Sequence, residues 1–221
     1  MPRQSRIVIP ELPHHITQRG NYRQTVFDNK GDYKQYSEWM SEYAEEYELD
    51  ILAYCLMPNH VHFIAIPYRE DTLSKTFNTV HMRYAHYLNR KRGLRGHLWQ
   101  GRFYSCILDD SHLYRAIRYV ENNPVRAKIV KQPWDYEYSS AKDHLQQRIK
   151  PLIKLNLKYQ PIVFNEWKEY LKEDDPDIYN EIRLKTSRGL VVGTQNFIKT
   201  LEKRLKRSLK CLNQGRPRKE S

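Results

Sequence analysis

The chain has no apolar run approaching a membrane span, few cysteines, no internal repeat, and too few acids to balance its bases. The first lack excludes a helical membrane protein, since a span needs about 20 consecutive apolar residues. The N-terminal stretch Met1–Pro10 has too short an apolar segment for a secretory signal, and no lipidation signal is present. Cys55, Cys106 and Cys211 are odd in number and far apart, with no CxxC pair. That spacing fits a reduced, cytoplasmic setting better than a disulfide framework or a zinc ribbon. Acids number 26 against 38 Lys and Arg, a net charge of +12. Residues 183–221 alone hold twelve bases and two acids. Such a surplus favours a polyanion partner, because each neutralised phosphate releases a counterion.

At 221 residues there is enough chain for one substantial domain plus a smaller appendage. A hydrophobic content of 39% with 12% aromatics is that of a globular protein. Residues 14–19 alternate as a first strand. Residues 32–48 place Tyr36, Trp39, Met40, Tyr43 and Tyr47 at helical spacing. Strands over 51–57 and 60–66 are separated only by Pro58-Asn59, a tight hairpin. A long helix runs over 72–92, capped by Thr72 and closed by Gly93, and 103–108 is a fourth strand. The order β-α-β-β-α-β specifies an α+β fold: a ferredoxin-like antiparallel sheet with helices on one face. Asp109-Asp110-Ser111 then opens a helix that Pro124 should end at Asn123. From about 150 the character changes to a helical C-terminal extension, residues 151–221. Pro176 divides two short helices there, and Gly193-Thr194 starts a third with basic residues on one face. These helices read as a brace or as a helix-turn-helix-like module, followed by an unstructured tail.

The most informative feature is His60-Val61-His62 at the start of a β-branched and aromatic run. Side chains alternate along a strand, so both imidazoles share one side and can grip one divalent ion, while Val61 points into a core. Such a pair needs a third ligand and a nucleophile. Tyr119 and Asn123, four residues apart, share one helix face. With that face over the sheet, the Asn123 carboxamide completes the ligand set and Tyr119 projects beside the ion. Taken alone, each is an ordinary residue: a helix tyrosine among seventeen, and an Asn before Pro. Oxygen and imidazole donors without thiolate suit Mg²⁺ or Mn²⁺. Tyr114 is a rival nucleophile, with Arg118 in place of a ligand at its i+4 position. His14-His15 read as strand residues or phosphate donors, with a second metal site as the alternative.

The run Tyr54-Cys-Leu-Met-Pro-Asn-His-Val-His62, then Gly96-His-Leu-Trp-Gln-Gly-Arg-Phe103, then Arg118-Tyr-Val-Glu-Asn-Asn-Pro-Val-Arg-Ala127, resembles the REP-associated tyrosine transposases. These are relatives of the small single-tyrosine HUH transposases of bacterial insertion sequences. Leu12-Pro-His-His-Ile-Thr-Gln-Arg-Gly-Asn21 fits their N-terminal strand, so the likeness covers most of residues 1–145. The resemblance implies an HUH domain over residues 1–150, with His60, His62 and Asn123 as metal ligands and Tyr119 attacking DNA. It implies a transposase that cleaves single-stranded, hairpin-forming repeat DNA through a 5′-phosphotyrosine; a monomer with its tyrosine helix packed in cis and a homodimer exchanging that helix would share these motifs. The alternative is a domesticated repeat-binding protein that no longer cuts.

For DNA contact, Arg83, Arg90, Arg92, Arg95 and Arg102 interleave with Trp99, a mixture suited to single strands or hairpin tips. An equally good reading is a solvated helix face followed by a core tryptophan. Gly215-Arg-Pro-Arg-Lys219 resembles an AT-hook, with Arg216 and Arg218 for a narrow minor groove.

Overall fold

The structure, a computed structural model, describes residues 6–156 and 164–209. The tail carrying Arg216 and Arg218 lies outside them. Strands β1 (His14–Arg19), β2 (Leu49–Met57), β3 (His60–Pro67), β4 (Tyr104–Leu108) and β5 (Val191–Val192) form one sheet in the order β2-β3-β1-β4-β5. The first four pair antiparallel, and β5 joins β4 in parallel. The hairpin between β2 and β3 turns at Pro58-Asn59 as its sequence predicts.

Strand alternation separates two cores. Val61, Phe63 and Ala65 face α1 (Lys30–Glu46) and α2 (Thr72–Arg92), where they meet Tyr36, Met40, Phe77 and Tyr84. Each such large side chain contributes roughly 1.5–3 kcal/mol by leaving water. This is the expected ferredoxin-like arrangement. Ile64 and Ile66 point to the opposite face, as His60 and His62 must. There α3 (Asp110–Glu121) packs through Leu113, Ile117 and Val120.

Local chemistry sets the helix ends. Asn29 and Asp32 cap each other's backbone at the start of α1. Gly93 closes α2 at φ 65, a left-handed conformation open to glycine. Thr72 is the first residue of α2 rather than its cap, and its hydroxyl donates to the Tyr47 carbonyl. Asp109 caps α3 by accepting from the His112 amide. Pro124 does not stop the chain from coiling. A one-turn helix α4 (Asn123–Arg126) follows α3, with proline in its first turn, where its missing N–H costs nothing.

Beyond α5 (Ala141–His144) come α6 (Phe164–Tyr170), α7 (Pro176–Arg188) and α8 (Gln195–Leu205). Pro176 separates α6 from α7, and Thr194 caps α8. Helix α7 packs against β1, β4 and α3, on the same sheet face as α3. A buried carboxylate ties this layer together. Glu121, 0% exposed, accepts from Ser140 Oγ and His144 Nδ1 at 2.6 Å each, and from Trp167 Nε1 at 3.1 Å. Among the described residues no helix is long and apolar enough to cross a membrane.

Candidate active site

A cleft of 540 Å³ opens where β1, β3, α3, α4 and α7 meet, and His60, His62, Tyr119 and Asn123 all line it. The two histidines come from the strand phase alone. The Tyr119 ring stands edge-on to His62, with centroids 5.8 Å apart, and to His15 at 5.5 Å. Tyr119 is 6% exposed, and its hydroxyl meets no hydrogen-bond partner among the described residues. Burial pushes its pKa above the usual value of 10, with the nearby Arg126 guanidinium pulling it back.

The histidine nitrogens are differentiated. His60 Nδ1 lies 2.6 Å from Asn59 Oδ1, and His62 Nδ1 lies 2.9 Å from His15 Nε2. In both rings the engaged atom is Nδ1, and Nε2 has no protein partner among the described residues. Burial first, then Arg19 and Arg126, pushes the His60 pKa down to about 4. Burial and the neighbouring imidazoles hold His62 well below its usual range. Both rings are therefore neutral at pH 7, the state in which imidazole binds metal.

The Asn123 amide nitrogen donates to the Tyr119 and Val120 carbonyls, which fixes the carboxamide's orientation. Its Oδ1 accepts from Arg126 Nη2 at 2.9 Å and keeps a second lone pair. Arg126 itself is caught between two phenols, 4.3 Å from the Tyr119 centroid and 4.7 Å from that of Tyr179. Among the described residues no three His, Cys, Asp or Glu side chains gather as a metal site. The available donor set is two imidazoles and one carboxamide, which fits a divalent ion that keeps open positions.

The other candidates fall elsewhere. The Tyr114 ring packs against Trp167, outside the cleft. His14 turns back to its own loop through the Leu12 carbonyl. Arg83 lies over Trp39 and pairs with Glu42, while Arg92 pairs with Asp28, so both charges are already engaged. Arg90, Arg95 and Arg102 line a separate groove of 1290 Å³ beside Trp99, between the end of α2 and the chain that follows it. The structure adds residues that the sequence did not single out: Arg126, Tyr179, Arg183 and Thr186. Arg126 had a signal, being three residues past Asn123 and seven past Tyr119, on the same helical face. Thr186 had none.

Comparison with solved structures places this fold among known ones. A REP-associated tyrosine transposase, solved bound to a REP hairpin, matches with a TM-score of 0.57 at 22% identity. The match covers 71% of this chain and 92% of that one. A putative transposase from Deinococcus radiodurans matches at 17% identity with a TM-score of 0.37, covering 55% of this chain and 97% of that one. No curated protein sequence matches the chain. The sequence family described as "Transposase IS200 like" matches residues 9–123. The chain belongs to the IS200-like transposase family.

Proposed function

We propose that the protein is a metal-dependent DNA nickase and strand-transferase that acts on single-stranded, hairpin-forming repeat DNA through Tyr119. The observation that carries this reading is the meeting of Tyr119, Asn123, His60 and His62 in one cleft. A DNA partner is further supported by the net charge of +12 and by the hairpin bound to the structural neighbour. His60, His62 and Asn123 would hold Mg²⁺ or Mn²⁺, which supplies Lewis acidity at a non-bridging phosphate oxygen when bound.

Tyr119 Oη attacks phosphorus, its proton passing to solvent. The Oη–P bond forms, the P–O3′ bond breaks, and the departing oxygen is protonated to a 3′-hydroxyl. The 5′-phosphotyrosine conserves the phosphodiester's energy, so another 3′-hydroxyl can reverse the step without a nucleotide cofactor. Arg126 holds Asn123 from one side and the Tyr119 ring from the other, so it orients both and favours the phenolate. Arg19 and Arg183, which also line the cleft, neutralise the flanking phosphates. Tyr119 lines the cleft together with His60 and His62 of the same chain.

The test is incubation of labelled hairpin oligonucleotides with the protein and Mn²⁺, followed by denaturing electrophoresis. A slow, protease-sensitive labelled species is expected. Its absence with DNA that binds would leave a repeat-binding protein without cleavage.

A further inference from the structure

A chain of buried hydrogen bonds leads from His62 away from the cleft and ends on helix α7. His62 Nδ1 is 2.9 Å from His15 Nε2, His15 Nδ1 is 2.7 Å from Thr186 Oγ1, and Thr186 Oγ1 is 2.6 Å from the Ile182 carbonyl. The Cys106 Sγ atom also lies 3.0 Å from Thr186 Oγ1. All four side chains are buried.

Proton positions follow from the far end. A carbonyl only accepts, so two oxygens 2.6 Å apart require the single threonine hydrogen between them. Thr186 Oγ1 then has only lone pairs left for His15, so His15 Nδ1 must bring the proton. His15 is buried, with a threonine hydroxyl and an imidazole as its hydrogen-bond partners and no carboxylate among them, so it carries a single ring proton, and with that proton on Nδ1 its Nε2 is bare. A bare Nε2 accepts from His62 Nδ1–H. His62 is therefore the tautomer with an unprotonated Nε2. In the reverse polarity, the threonine would donate to His15 and leave His62 Nε2 protonated and unable to bind a cation. That polarity also sets an oxygen lone pair against the Ile182 carbonyl at contact distance.

We infer that His15 and Thr186 are positioning residues that hold His62 in the one tautomer able to bind a metal ion through Nε2. The inference deepens the proposed function and rests on its assignment of His62 as a ligand. It also gives the C-terminal extension a part in the site, since Thr186 lies on α7, beyond the residues that the family matches. Outer partners of this kind alter metal affinity by about 10- to 100-fold when removed.

The experiment uses the full-length protein and two readouts. Long-range ¹H–¹⁵N correlation spectra of the metal-free wild type read the His62 tautomer directly. An Nδ1–H imidazole is expected, and an Nε2–H imidazole overturns the inference whatever the variants do. Titration with Mn²⁺, followed by its electron paramagnetic resonance signal, then compares Thr186→Val with Thr186→Ser. The valine keeps the shape and loses the hydroxyl, so Mn²⁺ affinity should fall by about 10- to 100-fold and His62 should lose its single tautomer. The serine keeps the hydroxyl and should restore both. A folded Thr186→Val protein with unchanged tautomer and affinity overturns the inference. If neither wild type nor Thr186→Ser binds Mn²⁺, the metal reading fails, while the spectra still decide the polarity of the relay.

Discussion

Replacing Tyr119 with phenylalanine removes one oxygen and leaves every ring contact in place. The hydroxyl has no hydrogen-bond partner among the described residues, so folding stability should change by no more than about 0.5 kcal/mol. The chemical effect is of another order. A phenol of pKa 10 is ionised to about 0.3% at pH 7.5, and burial of Tyr119 lowers that fraction further. Wild-type adduct formation should therefore accelerate about tenfold per pH unit between pH 7 and 9, where phenolate is the attacking form. In Tyr119→Phe the adduct should drop by at least about 10³-fold, equivalent to roughly 4 kcal/mol in the barrier. Hairpin binding should stay within about threefold, since a neutral hydroxyl supplies little of a phosphate-dominated affinity. The control is Tyr179→Phe. Its ring lines the same cleft, 5.5 Å from Tyr119, but its hydroxyl is already directed to the Glu173 carbonyl. That variant should keep the adduct. Quantifying radiolabelled adduct on denaturing gels across pH separates the two, and a persistent adduct in Tyr119→Phe with its loss in Tyr179→Phe would refute the assignment.

Four further expectations follow from the same geometry. His62→Ala should abolish Mn²⁺ binding and adduct formation while hairpin affinity, read by fluorescence anisotropy in chelator, stays within about threefold. Glu121→Ala strips three donors of their buried acceptor and should cost about 3 kcal/mol in urea unfolding; a loss below about 1 kcal/mol would count against that role. Burial pushes His14 down to about 4 and His81 to about 3, so below pH 6.5 the unfolded chain takes up protons that the folded one refuses. Stability should fall by about 2 kcal/mol for each between pH 7 and 5, and a flat urea midpoint over that range would contradict it. Finally, alanine at Arg90, Arg95 or Arg102 should each reduce the slope of log affinity against log salt by about one, whereas Arg83→Ala, whose charge is engaged by Glu42, should leave it unchanged.

The central sheet and the paired histidines were legible because a strand's period of two and a two-residue hairpin leave little freedom. Tyr119 and Asn123 were legible through helical spacing. Pro124 misled, since a proline that should end a helix can equally begin the next turn, and only packing decides between them. His15 read as a strand residue or phosphate donor, because nothing in His14-His15 says which of the two faces His62. Strand alternation needed the register of β1 against β3, which pairs Thr17 with His62. Thr186 was beyond reach for a different reason. Its role comes from docking α7 across the sheet, a long-range contact that no local pattern encodes. The arginines show the limit from the other side. Composition counts charges, but whether a guanidinium such as that of Arg92 is already neutralised by Asp28 depends on tertiary neighbours.

The parallel pairing of β5 with β4 orders assembly in time. On a ribosome, residues 104–108 emerge long before residues 191–192, so the nascent chain carries an unpaired sheet edge and a half-walled cleft until α7 and β5 arrive. His15 meanwhile lacks its Thr186 partner. The cleft is thereby closed only once α7 has been made, and a chain broken off before α7 would present an adhesive strand edge beside a cleft missing one wall.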